Sequence, residues 1–177
     1  RRQCHRRNYR GCAPSGAEIE SSSRKRVFIL RRQIPMKSPP MLIRSYRPAD
    51  ETEVIELWRE CGLLRWSDPK KDIARKLRVN GEWFLVGEIG GVVMATCMIG
   101  YEGHRAWINL LAVAPPHRRG GHGRALLAEA ERILRGVGCP KINLQVRTSN
   151  RGVIAFYERL GFALDDVVSF GKRLEPD

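Results

Sequence analysis

The chain has no apolar run near the roughly 20 residues a membrane-spanning helix requires, so the sequence offers no candidate for one. Its five cysteines form no CxxC pair. That excludes the redox and zinc motifs built on such pairs. Cys97 falls inside an apolar strand pattern and Cys61 at the end of a helical one. Both suit small core or boundary residues in a reducing compartment, so a cytoplasmic location is expected. The four histidines (His5, His104, His117 and His122) lack metal-ligand spacing, and no metal is expected. There are no internal repeats. What remains is an ordinary apolar share of 42%, enough in 177 residues for one domain with a real core.

Acidic residues are scarce at the N-terminus. Residues 1–40 hold eleven Lys and Arg against two Glu; residues 41–177 hold the other 21 cations against 17 acids. The net charge of +13 is therefore concentrated in a segment rich in Arg, Ser and Pro, whose only apolar run is Val27–Leu30. Three readings of this extension stay open. It is a disordered tail, a translated upstream stretch with Met41 as the true start, or an Arg- and Ser-rich presequence. The distribution argues against a nucleic-acid partner for residues 41–177, although the basic tail keeps nucleic-acid binding as an alternative.

From Met41 the pattern becomes regular. Leu42 to Tyr46 reads as a strand. Asp50 is placed to cap a helix with apolar positions Val54, Leu57, Trp58 and Cys61. Asp68-Pro69 opens a short basic helix to about Leu77. Trp83–Ile89 and Val92–Ile99 around Gly90-Gly91 form a hairpin signal. Trp107–Val113 is a further strand. A helix runs through Ala125, Leu126, Leu127, Ala130, Ile133 and Leu134 to Gly136 and Gly138. A strand at 140–147, a helix from Asn150 and a last strand near 164–173 complete the chain.

The segment joining strand 107–113 to its helix carries the chemistry. It reads Leu111-Ala-Val-Ala-Pro-Pro-His-Arg-Arg-Gly-Gly-His-Gly-Arg124. An apolar run hands over to a basic, glycine-rich turn and then to a helix. The first N–H groups of a helix lack partners and its dipole is positive there, so such a turn suits a pyrophosphate. A P-loop is excluded, because no Lys-Ser or Lys-Thr follows the glycines. A dinucleotide turn fails at Leu126, where its third glycine belongs, and at the next strand, which carries Gln145 and no acid. The pattern Arg/Gln-x-x-Gly-x-Gly/Ala is met by Arg118-x-x-Gly121-x-Gly123. A second run, Asn150-Arg-Gly-Val-Ile-Ala-Phe-Tyr-Glu-Arg-Leu-Gly-Phe162, follows the next strand. A glycine-rich surface turn or an amphipathic helix ending at Gly161 would account for one motif each, but not for both at this separation.

With both motifs in register, residues 41–174 resemble the GNAT superfamily of acetyl-CoA-dependent N-acetyltransferases. The run including Cys139–Leu144 and Gly171–Leu174 looks like its bacterial YpeA-type subgroup. Gly152 departs from the usual alanine, a cost of up to about 1 kcal/mol to the first helical turn. The resemblance implies an α/β domain over 41–177, with a twisted mixed sheet and helices on both faces. It implies that pantetheine lies along Leu111, Ala112 and Val113. The pyrophosphate would rest on Arg118, Arg119, Gly120, Gly121, His122, Gly123 and Arg124, with Asn150 also reaching the cofactor. An amine, on a small molecule or a protein, would attack the thioester of acetyl-CoA directly. A strand N–H would face the developing oxyanion, and Tyr157 would give the departing thiolate its proton. Dimers are common among look-alikes, and a homodimer stays open.

The base is the gap in this pattern. Some relatives, such as the ribosomal-protein N-terminal-alanine acetyltransferases, carry a glutamate where this chain has Gln145, which takes up no proton. Glu88 and Glu102 are the nearest carboxylates by strand order, and each reads equally as a solvated surface acid. The missing carboxylate keeps a non-catalytic acyl-CoA-sensing domain as an alternative. Trp66 and Ser67, and the run Tyr101–Arg105 at the expected mouth of the cleft, lie where acceptor recognition is expected to vary.

Overall fold

The computed structural model describes residues 40–64 and 68–174. The expectations for the N-terminal extension and for Trp66 and Ser67 therefore lie outside the described residues. The elements are β1 (Leu42–Ser45), α1 (Glu51–Glu60), α2 (Pro69–Arg78), β2 (Phe84–Ile89), β3 (Val92–Tyr101), β4 (Ala106–Val113), α3 (His122–Gly136), β5 (Ile142–Asn143) and α4 (Arg151–Glu158). Single 3-10 turns precede α1, β2 and α3. The five strands form one sheet in chain order. The first four run antiparallel, and β5 joins β4 in parallel through Ala106–Ile142 and Trp107–Asn143. A parallel neighbour needs a long crossover, which α3 supplies.

Local signals explain most of the boundaries. Asp68 accepts from Lys70 N at 2.9 Å, with Pro69 in the first helical turn. Gly90 and Gly91 turn the hairpin at φ 60° and 86°, a conformation glycine takes without strain. Asp50 departs from its expected role. Its side chain does not cap α1 but accepts from Arg47 N at 2.7 Å and pairs with Arg44 on β1. A guanidinium with a matching fork outcompetes the helix amides for that carboxylate.

Both faces of the sheet are covered, as expected. Val54, Leu57 and Trp58 of α1 and Ile73 of α2 pack on Phe84, Val86 and Met98. On the opposite face, Leu126, Leu127, Ala130 and Leu134 of α3 and Tyr157 of α4 pack on Leu85, Cys97, Ile99 and Ile108. Each fully buried aliphatic or aromatic side chain stabilises the fold by about 1.5–3 kcal/mol.

Two strand expectations fail. The strand read over 140–147 pairs only at Ile142 and Asn143, and the ladder with β4 ends at Trp107. No strand forms over 164–173, where Leu164, Val167, Val168 and Phe170 are exposed. With so short a β5, that segment has no ladder of backbone groups to join. Side chains hold it beside β5 instead, through Lys141–Asp165 and Gln145–Ser169.

Candidate active site

The parallel pair β4 and β5 is joined only at its first residues, so the two strands part toward their C-terminal ends. The glycine turn follows β4 and Asn150 follows the β5 stretch, so both motifs stand at the open end. They touch. A Cβ on Gly123 would stand 3.2 Å from Cζ of Phe156 and 3.7 Å from Cγ2 of Val113. The end of β4, the start of α3 and α4 therefore meet closely at Gly123, where an added Cβ would press on the Phe156 ring.

In the turn, Arg119 and Gly121 both adopt left-handed backbone, at φ 65° and 85°. The first bond of the α3 ladder runs from Ala125 N to Gly121 O at 3.0 Å. The amides of His122, Gly123 and Arg124 come before it, and no acidic side chain lies in that first turn. The Gly121 Cβ position faces open space. A Cβ on Gly120 would fall 2.9 Å from His122 Nε2, so that glycine lets the imidazole lie across the turn, edge-on to His117 at 6.3 Å. Arg119 and Arg124 are exposed. Arg118 is turned back: its Nε donates to Val113 O at 3.0 Å, and Nη2 lies 3.4 Å from Cys61 Sγ. Its guanidinium clamps the turn to β4, and the same Val113 carbonyl also accepts from Cys61 Sγ at 3.5 Å.

Free amides, local positive charge and open space fit a diphosphate. A second observation lies on β5 itself. Asn143 Oδ1 is buried without a partner, beside Trp107 in the register of the parallel pair. Asn150 caps α4, its side chain accepting from Val153 N at 3.3 Å. Its oxygen is thereby committed to the helix, and its amide nitrogen remains a donor for a ligand.

Tyr157 is 9% exposed and belongs to the apolar cluster under α3. Its ring meets Phe156 and Phe162 edge-on at 5.1 and 5.4 Å. Burial pushes its phenol well above the ordinary value, and nearby Cys97 adds to the effect. Tyr157 also borders a cleft of about 1260 Å³ along the outer side of β5, lined by Trp107, Asn143 and Gln145 among others. None of residues 111–124 lines that cleft.

The carboxylates considered as bases are engaged elsewhere. Glu88 is ion-paired with Arg44 at 2.8 Å, on a strand that β3 separates from β4. Glu102 accepts from Arg105 N at 3.1 Å within the β3–β4 turn. That turn stands where β4 and β5 are still paired, opposite the glycine turn, not at the open mouth. Sequence reasoning missed Arg44, Thr96 and Trp58. A lone polar residue within the apolar strand run 92–99 was the available signal for Thr96.

Residues 51–162 match the model of the Acetyltransferase (GNAT) family. An acetyltransferase of Sodalis glossinidius is 47% identical over 139 residues, covering 77% of this chain and 98% of that protein. One from Yersinia enterocolitica is 44% identical over 138 residues with the same coverage. Among solved structures, the ribosomal-protein-S18-alanine N-acetyltransferase from Escherichia coli superposes with a TM-score of 0.60 at 28% identity, covering 69% of this chain and 77% of that one. The left-handed glycine turn, the parting strands and these relatives agree: the chain belongs to the GNAT family of acetyltransferases.

Proposed function

We propose that this chain transfers the acetyl group of acetyl-CoA to a primary amine, carried by a small molecule or a protein, by direct attack within a ternary complex. The contact of Gly123 with Phe156 and Val113 carries the reading, because it sets the amide-lined turn against α4 and the end of β4. The amides of Arg119 to Arg124 hold the diphosphate. Backbone groups of Leu111, Ala112 and Val113 line the pantetheine arm, and the Asn150 amide nitrogen donates to the same ligand. Arg118 acts by holding the turn to the strand.

When bound, acetyl-CoA supplies an acyl group already activated as a thioester. The residues of the chain orient it and manage protons. Tyr157 is protonated at Oη, gives that proton to the sulfur as the C–S bond breaks, and regains one from solvent before the next turnover. Gln145 takes up no proton and Glu88 is held by Arg44, so deprotonation of the amine falls to water.

Calorimetric titration with acetyl-CoA, followed by thiol release across an amine library, tests this reading. Saturable sub-millimolar binding and release with at least one amine are expected. Absence of binding to acetyl-CoA and to other acyl-CoAs would refute it. Tight binding with no release across the library would assign the chain to acyl-CoA sensing.

A further inference from the structure

The third and fourth strands are out of step at one point. Thr96 faces Ala112 and Met98 faces Asn109, so Cys97 alone stands against both Leu110 and Leu111. Ile108 and Leu111, three residues apart, accordingly pack on the same side of the sheet, while Leu110 packs on the α1 side. Leu110 carries the strain of this bulge at φ 47°, a left-handed conformation that an apolar side chain rarely adopts. Something outside the strand must hold it.

One buried polar chain does. Trp58 and Thr96 are both completely buried. Trp58 Nε1 donates to Thr96 Oγ1 at 2.9 Å, and Thr96 Oγ1 lies 2.9 Å from Leu110 O. An indole N–H only donates, so it occupies a lone pair of the hydroxyl. The single hydroxyl proton is then directed to the Leu110 carbonyl. The sequence places a donor on α1, a relay on β3 and the strained carbonyl on β4. In an otherwise apolar cluster, each group satisfies the next.

We infer that Thr96, oriented by Trp58, is a positioning residue that holds the β4 bulge and so fixes the backbone of Leu111–Val113 for the acyl-CoA arm. The inference rests on the acetyl-CoA reading above. Side chains alternate along a strand, so a bulge that relaxed by one residue would exchange the facing of the groups on one side of it. Residues 111–113 would then present different backbone groups toward the parting of β4 and β5. Thr96 itself faces α1 and reaches the ligand only through Leu110.

Thr96→Val, Thr96→Ser and Trp58→Phe test the inference by acetyl-CoA calorimetry, steady-state kinetics and amide hydrogen exchange. Valine keeps the shape and removes the hydroxyl. It is expected to weaken acetyl-CoA binding about tenfold or more, to raise KM for acetyl-CoA with little change in KM for the amine, and to speed exchange at residues 110–112 but not in β2. Serine, which keeps the hydroxyl, should restore affinity to within about threefold. Trp58→Phe frees the hydroxyl to rotate and should fall between the two. Should Thr96→Val fail to fold, Thr96→Ser and Trp58→Phe still decide the matter by their order. Wild-type protein that binds acetyl-CoA alongside a Thr96→Val or Trp58→Phe variant that binds it equally well overturns this inference alone. Wild-type protein that binds no acyl-CoA overturns the functional reading instead.

Discussion

Gly123 and Phe156 stand so close that a single added carbon on the glycine would reach 3.2 Å from the edge of the phenyl ring. This contact joins two motifs that are 33 positions apart in the chain. Gly121, two residues earlier, faces open space but holds φ 85°. The two glycines therefore answer to different constraints, Gly123 to close packing and Gly121 to its left-handed backbone. Gly123→Ala should shift Phe156 and with it α4, costing about 1–3 kcal/mol and lowering both acetyl-CoA affinity and kcat. Gly121→Ala should cost about 1–2 kcal/mol of backbone strain and lower affinity while leaving kcat at saturation near wild type. Thermal unfolding and saturation kinetics on both variants check the contrast. Identical kinetic profiles would refute it.

Tyr157→Phe removes one oxygen and keeps the ring that packs against Phe156 and Phe162. If the phenol gives its proton to the departing thiolate, kcat should fall on the order of 100-fold while acetyl-CoA affinity stays within about threefold. Burial raises the phenol, so wild-type kcat should show no descending limb near pH 10, where an ordinary tyrosine ionises. Loss of affinity with intact turnover would make Tyr157 a packing residue only.

The fold was legible wherever the pattern depended on near neighbours. The helical face Val54, Leu57 and Trp58, the Asp68 cap and the Gly90-Gly91 hairpin all appear as read. The glycine turn was legible for the same reason: its order of residues fixes a strand, a turn and a helix start. The misses depend on partners that the local residue pattern does not reveal. Asp50 reads as a cap until Arg44 is placed beside it. The strand at 164–173 reads as paired until β5 turns out to end at Asn143. The bulge at Leu110 leaves no mark in an apolar run, since its cause lies on α1 and β3.

Asn150 serves two purposes with two atoms of one amide. Its oxygen accepts from Val153 N, and its nitrogen is free to donate outward. Asn150→Asp should keep the cap and remove the donor. Helix stability is then preserved while acetyl-CoA affinity falls about tenfold, partly because a carboxylate faces an anionic ligand. Asn150→Ala should lose about 1 kcal/mol of stability as well. Urea unfolding separates the two effects. Equal affinity in the aspartate variant and the wild type would reduce Asn150 to a cap alone.

Arg44 holds Asp50 through both oxygens, at 2.7 and 2.9 Å, and Glu88 through its Nε at 2.9 Å, all largely shielded from water. The guanidinium and the Arg47 amide hold the Asp50 carboxyl below the ordinary value. A carboxylate depressed in the folded state contributes stability that is fully present above its unfolded value of about 4 and is lost as pH falls through the folded one. Asp50→Asn should therefore cost about 1–3 kcal/mol at pH 7, less than a fully orphaned buried charge, because Glu88 still faces Arg44. At pH 3 the gap between wild type and variant should narrow, since the wild-type carboxylate is by then losing its advantage. Urea unfolding at the two pH values measures it. A gap of unchanged size would show that Asp50 acts by shape and by its bond to Arg47 N, with the charge pairing contributing nothing.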